Sequence, residues 1–183
     1  MVLLQQASAI HSEMLLASEP VHRRFCEKHG LRFTLHFGMG RWDTPADAKV
    51  GCILEELKGV RLDDGLLWVD ADALIVKDFD PLLELGGEDL RMSFVRGHFC
   101  MGVMMLRPAA KVLNWLKDVG TDHCGIAAAK LEEHRLFPHR LGPEFNASPD
   151  DAKAVIKHWY GREKRKALTE MQVEAKRVFN AVA

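Results

Sequence analysis

Two aspartates one residue apart close an apolar run, Leu66-Leu67-Trp68-Val69-Asp70-Ala71-Asp72. Folding alone explains this poorly, because charged side chains are almost never fully buried without a partner. Leu66 to Val69 reads as a short strand covered on both faces, which places the carboxylates at its open end. Residues two apart on an extended backbone project from the same face, so Asp70 and Asp72 are expected to point together at one ion. Oxygen-rich ligation of this kind favours Mn²⁺ or Mg²⁺. The bland alternative has one aspartate capping a turn and the other paired with a basic side chain, and a bare DxD is common. A second group lies far downstream in His158, Gly161 and Lys164. Taken alone, His158 reads as an ordinary core or surface histidine. Taken with the DxD, an imidazole can complete a coordination shell and a glycine can admit backbone amides to phosphate oxygens. A lysine can neutralise charge on a departing diphosphate, so a diphosphate carried on a divalent ion accounts for both groups.

The elements that must hold these residues follow from periodicity. Val2 to Gln6 is expected as a first short strand. A helix follows, N-capped by Ser18, entered through Glu19 and Pro20 and closed by Gly30. Leu31 to Phe37 alternates with period two, as a strand with one buried face does. Thr44-Pro45-Ala46-Asp47 combines an N-cap, a proline at the first helical position and an acid three residues after the cap. Val50, Ile53, Leu54 and Leu57 follow at helical spacing. Strand, helix, strand, helix, strand is the order of an α/β fold with a mostly parallel sheet. Beyond the DxD, Met92 to Val95 and Val103 to Leu106 read as strands, and Pro108 opens a helix through Leu113, Trp115 and Leu116. Another helix is expected from about Gly125 to His134, extended chain from Leu136 to Leu141, and an amphipathic helix at about 164–182. Gly102 reads as a place where a ligand approaches the backbone closely.

The 183 residues, 48% of them hydrophobic, suffice for one domain with a sizeable core. A formal net charge of −1 and the lack of a basic stripe with interleaved aromatics argue against nucleic acid. No window approaches the roughly 18 apolar residues of a membrane span, so a soluble, cytoplasmic protein is expected. Cys26, Cys52, Cys100 and Cys124 are scattered, which suits reduced thiols rather than a disulfide scaffold. His98, Cys100, His123 and Cys124 lack the convergent spacing of a zinc site.

In this order the patches resemble glycosyltransferases of the GT-A type, of the family-8 and mannan/galactomannan-type retaining groups. Leu67-Trp68-Val69-Asp70-Ala71-Asp72-Ala73-Leu74-Ile75-Val76 is similar to their apolar strand ending in DxD. Arg23 to Gly30 resembles their helix ending in a His-Gly turn, and His158-Trp159-Tyr160-Gly161-Arg162-Glu163-Lys164 their HxxGxxK pattern. Gly102-Val103-Met104-Met105-Leu106 resembles the segment lining the sugar pocket. The resemblance, covering roughly Val2 to Lys164, implies one compact domain over residues 1–183. Its fold would be the Rossmann-like GT-A fold, a mostly parallel central sheet flanked by helices. It implies transfer of a hexose from a nucleotide-diphosphate sugar, UDP-linked, to a glycan or other hydroxyl acceptor, with retention. Asp70, Asp72 and His158 would bind Mn²⁺ or Mg²⁺, and Asp70 also the donor ribose. Gly161 and Lys164 would contact the diphosphate, and Lys49 the donor sugar or phosphate. Asp122 would contact the transferred sugar or stabilise its oxocarbenium-like charge, and Asn146 resembles a late donor-binding element. Cys100 stands where the family has asparagine, and His123 where it has glutamine. The short chain also fits an acceptor site that is small or completed by a second subunit of a homo-oligomer.

Two rival readings remain at this level. A haloacid-dehalogenase-type phosphatase also ends a strand with DxD, but normally on its first strand, and Asp150-Asp151 is a poor match for the late acidic pair. A degenerate transferase fold that binds a nucleotide sugar, or serves only as an interaction module, draws its support from Cys100 and His123.

Overall fold

The computed structural model describes residues 1–38, 44–95, 97–119 and 130–181. Strand and helix alternate through the first third: β1 (Val2–Ala7), α1 (Ser12–His29), β2 (Arg32–Phe37), α2 (Pro45–Leu57) and β3 (Leu66–Val69). β4 (Ala73–Ile75), α3 (Pro81–Leu85), β5 (Leu90–Val95), β6 (His98–Leu106) and α4 (Ala110–Val119) follow. The chain then forms β7 (His139–Arg140), a 3-10 turn (Pro143–Asn146), β8 (Ile156–His158) and α5 (Lys164–Ala181). Six strands make a central sheet in the order β2-β1-β3-β6-β5-β7, in which β6 alone runs against the rest.

β3 shows why the apolar run is continuous. Leu66 and Trp68 face a core built with α2 and α4, while Leu67 and Val69 face the opposite core, which Phe25 and Cys26 of α1 help to form. All four are fully buried, and burial of a side chain of leucine size contributes roughly 1.5–3 kcal/mol. The same division separates Leu4 from Leu3 on β1, and Met104 and Leu106 from Val103 and Met105 on β6. A third cluster joins Met14 and Val21 of α1 to Met171, Ala175 and Val178 of α5 through Trp159.

The signals at Thr44 and Gly30 act as expected. The Thr44 hydroxyl oxygen accepts the Asp47 N–H at 3.1 Å. Gly30 ends α1 in the left-handed region, φ 62°. Ser18 is not a cap, however: α1 begins six residues earlier and carries Pro20 inside it. The Ser18 hydroxyl, fully buried, donates back to the Leu15 carbonyl at 3.0 Å, the local bond that a serine also makes within a helix. α4 likewise starts at Ala110 rather than at Pro108. The expected extended stretch from Leu136 to Leu141 shortens to the two residues of β7. The first half of the helix expected from about Gly125 to His134, residues 125–129, lies outside the described residues, and residues 130–133 are helical. Among the described residues no helix is long and apolar enough to cross a membrane.

Two departures from regular pairing shape the site. β5 and β6 are in register at Met92↔Met104 and again at Ser93↔Cys100, so Met101, Gly102 and Val103 form a bulge on β6 beside the end of β3. Such bulges bend a strand and re-aim its side chains. The second departure is a separate two-stranded sheet, in which β4 and β8 pair antiparallel with Ala73 opposite His158. It carries residue 158 back to the DxD.

Candidate metal and donor site

β3 stops at Val69 and β4 starts at Ala73, so Asp70-Ala71-Asp72 is a turn closed by the Ala73 N–H on the Asp70 carbonyl at 3.0 Å. The expectation of an extended strand running to Asp72 is thereby corrected. The two carboxylates converge because the turn folds them toward β8, not because they share a strand face. Asp70 sits between two donors: the Trp68 indole N–H donates to its Oδ1 at 2.8 Å, and the Lys49 ammonium lies 2.6 Å from the same oxygen. Lys49 projects from α2 across the Trp68 ring, 5.4 Å from its centroid, and reaches the Met101 carbonyl at 3.5 Å.

Asp72 Oδ1 lies 3.0 Å from His158 Nε2, and the other ring nitrogen, Nδ1, lies 2.6 Å from Asn146 Oδ1. The Asn146 amide nitrogen in turn donates to Ser93 Oγ at 3.0 Å. One ligand atom from each of Asp70, Asp72 and His158 falls within 4.8 Å of the others. Burial would push the His158 imidazole down, but the bond and charge of Asp72 and the charge of Asp70 outweigh it and hold the group above its ordinary value. For Asp72 burial pushes upward, and the hydrogen bond and charge of His158 more than reverse it. An imidazole nitrogen facing a carboxylate oxygen at this distance requires a positive charge between them, a proton or a metal ion. Two carboxylate oxygens and one nitrogen suit Mn²⁺ or Mg²⁺, with open positions left for other oxygen ligands.

A buried chain supports the turn from behind. The fully buried Gln5 side chain donates to the Asp70 carbonyl at 3.3 Å, and its Oε1 lies 2.8 Å from His22 Nδ1. The Ile75 N–H, 3.0 Å away, can only donate, so His22 Nε2 accepts and Nδ1 carries the proton given to Gln5. Burial depresses His22 to about 3, and the ring is neutral. The sequence reading missed this chain; its one signal is the polar pair Gln5-Gln6 inside an otherwise apolar strand.

No protein-family model matches the chain, and no curated protein matches it by sequence. Solved structures do. A glycosyltransferase involved in glycosylation of the major capsid of PBCV-1 aligns at TM-score 0.73 and 13% identity, over 94% of this chain and 98% of that one. The chain has the GT-A fold. The galactosyltransferase LgtC, solved with donor and acceptor sugar analogues, aligns at TM-score 0.54 and 14% identity over 97% and 96% of the two chains. A Drosophila β1,4-galactosyltransferase 7 variant, solved with manganese, UDP-Gal and xylobiose, aligns at 0.54 and 14% over 91% and 73%. These neighbours support the GT-A architecture; the mannan-type subgroup has no family-level match behind it.

On the GT-A scaffold the turn opens into a cleft of about 370 Å³ whose lining includes Ser8, His11, Lys49, Asp70, Asp72 and Gly161. A second cleft of about 350 Å³ lies across His158, lined among others by His98, Cys100, Asn146, Ser148 and Arg162. Tyr160, largely exposed and with its ring centroid 5.9 Å from that of His158, borders both. Gly161 adopts φ 72°, a conformation that favours glycine, at the edge of the first cleft. Lys164 heads α5 and is half-buried, with no hydrogen bond or ion pair among the described residues. Asp122 and His123 lie outside the described residues. Asn146 reaches the second cleft, but both ends of its amide are engaged by His158 and Ser93. Asp150 pairs with Arg162 on the surface, and the Asp151 carboxylate accepts the Lys153 N–H, so neither supplies the late acidic pair of a phosphatase.

Gly102 is expected to be a point of close ligand approach, and here protein atoms occupy the space its side chain would take. A Cβ there would stand 2.8 Å from His158 Cε1, 3.1 Å from Nδ1 and 3.4 Å from Asp70 Oδ2. The His158 ring is held by Asp72 on one side and Asn146 on the other, so it cannot retreat without losing one of them. Gly102→Ala is therefore expected to cost about 1–3 kcal/mol of stability by overpacking and to weaken Mn²⁺ binding at least about tenfold. Denaturant unfolding and Mn²⁺ titration measure the two effects. A variant that melts and binds like the parent would show that the ring is free to move.

Proposed function

We propose that the protein is a metal-dependent glycosyltransferase that moves a hexose from a nucleotide-diphosphate sugar, UDP-linked, to a hydroxyl of a glycan or similar acceptor. The observation that carries this reading is the convergence of Asp70 and Asp72, which line the first cleft, with His158, which lines the second, in a GT-A fold. Two carboxylates would by themselves repel a diphosphate, and a divalent cation inverts that sign. Asp70, Asp72 and His158 would hold Mn²⁺ or Mg²⁺, which when bound supplies Lewis-acid neutralisation of the diphosphate. Lys49 adds a cation beside Asp70, Gly161 lets the backbone approach phosphate oxygens, and Lys164 stands three residues beyond it to balance charge on the departing nucleotide. We place Asp122 at the transferred sugar on the same resemblance.

In this reaction the anomeric carbon–phosphate oxygen bond breaks, the electron pair leaves with the nucleotide diphosphate, and the acceptor oxygen bonds to the anomeric carbon. In the retaining course that we infer from the resemblance, the acceptor proton passes to the departing phosphate oxygen. The protein's work is then to orient the two substrates and stabilise charge on the leaving group, not to attack. The second cleft, reached across His158 and Tyr160, is the place we assign to the acceptor.

Thermal unfolding with UDP, GDP and their sugar conjugates, each with Mn²⁺, Mg²⁺ or EDTA, tests the reading. A ligand at 100 times its Kd stabilises by about 2.7 kcal/mol, which shifts the midpoint by several degrees. A shift with uridine nucleotides that EDTA abolishes is expected. No shift with any nucleotide removes the donor assignment. A metal-dependent shift without transfer across an acceptor panel would favour a binding module, toward which Cys100 in the second cleft points.

A further inference from the structure

We propose that Asn146, anchored by Ser93, is a positioning residue that fixes the tautomer of His158, so that Nε2 and not Nδ1 presents its lone pair to the ion. This rests on reading Asp70, Asp72 and His158 as a metal site.

The chain of bonds has one consistent direction. The Cys100 carbonyl can only accept, so the Ser93 hydroxyl spends its proton there, across 3.1 Å. Ser93 Oγ is then an acceptor for the Asn146 amide N–H₂ at 3.0 Å. That orientation turns Asn146 Oδ1 toward His158, where it can only accept, and at 2.6 Å it takes the Nδ1 proton. Nε2 faces Asp72 at 3.0 Å: without the ion it carries a second proton to that carboxylate, and with the ion present Nδ1 keeps its proton and Nε2 is the nitrogen left to ligate. Ser93 is 1% exposed and His158 7% exposed, so water is poorly placed to stand in for either partner.

The backbone makes this register rigid. The Ala147 N–H donates to the Ile156 carbonyl at 3.1 Å, the His158 N–H to the Ala147 carbonyl at 2.9 Å, and the Val155 N–H to the Glu144 carbonyl at 2.8 Å. The 3-10 turn carrying Asn146 is thus laced to β8 on both sides of the contact. Ser93 is brought to the other end by the β6 bulge, after which it pairs with Cys100. A ligating histidine whose second nitrogen donates to an oxygen acceptor has its ring orientation and tautomer set by that acceptor, and loss of the acceptor typically costs 10–100-fold in metal affinity.

Three variants and two readouts test this. Mn²⁺ affinity is measured by electron paramagnetic resonance of free Mn²⁺. The tautomer is read from ¹⁵N–¹H correlation of the protein loaded with Mg²⁺, which is diamagnetic. Asn146→Leu keeps the volume but removes the acceptor, and is expected to lower Mn²⁺ affinity about 10–100-fold and to give His158 a mixed tautomer. Asn146→Asp retains the acceptor and is expected to hold the wild-type tautomer and bind Mn²⁺ at least as tightly. Ser93→Ala frees the amide to turn and is expected to fall between them. Mg²⁺-loaded wild-type protein with the proton on Nε2, or Asn146→Leu with wild-type Mn²⁺ affinity, would overturn the proposal. If Asn146→Leu unfolds, the Asp and Ala variants still decide it through the tautomer. If wild-type protein binds no Mn²⁺, the metal reading fails, while an Nδ1 proton held by Asn146 in the metal-free protein still tests the hydrogen-bond chain.

Discussion

Asp72→Asn is expected to reduce metal-dependent sugar transfer by about 10²–10³-fold while leaving the fold intact. The amide keeps the shape of the carboxylate and can still bond to His158 Nε2, so the antiparallel pairing of β4 with β8 survives. What it loses is charge. The ion would then be held by Asp70, already shared with Lys49 and the Trp68 indole, and by His158. His158→Ala is expected to match it in activity and to be somewhat less stable, because a buried ring is removed from between Asp72 and Asn146. Turnover of a UDP-sugar with the acceptor found in the screen, together with the EDTA-sensitive thermal shift, measures both. Parental turnover in either variant would sink the assignment of this triad.

Stability is expected to fall by about 1.4 kcal/mol per pH unit as the pH drops from about 6.5 toward 3, owing to His22 alone. The folded ring, buried and locked between Gln5 and the Ile75 N–H, has its pKa depressed to about 3, against 6.5 for the unfolded chain. Within that window the unfolded state takes up a proton that the native state refuses, so stability rises with pH and is fully restored above about 6.5. His22→Gln has no such titration. Its urea midpoint should trail the parent at neutral pH and approach or overtake it on acidification. Two pH profiles running parallel would show that His22 protonates without unfolding. Because Gln5 also donates to the Asp70 carbonyl, the acid-sensitive element and the turn of Asp70 and Asp72 share one support.

Much of this could be read from residue types. The DxD, its buried strand and the return of His158 were legible because carboxylates and a histidine beside apolar runs are expensive to place without a purpose. Thr44 and Gly30 were legible because caps obey local stereochemistry. The start of α1 was not, since Ser18 has the residue type of a cap and Pro20 that of a first turn, and only docking against β1 decides that the helix extends six residues further back. The turn at residues 70–72 was likewise hidden, because its shape is imposed by pairing with β8 from far along the chain. The roles of Gln5, His22 and Ser93 depend on partners 17 or more residues away for Gln5 with His22, and 53 for Ser93 with Asn146. No local pattern records such distances.

The pairing of Ala73 with His158 also sets an order of events in folding. Its two strands are separated by most of the second half of the chain, and Asp72 meets His158 across 86 positions of sequence. Closing a loop of that length is entropically costly and comes late relative to local helix formation and to the β1–β2–β3 pairings. The parallel core can therefore collapse, bury Trp68 and look native to most optical probes while the three candidate ligands are still apart. Acquisition of tight Mn²⁺ binding in a refolding experiment would report completion of the chain's last contact and not its first compaction.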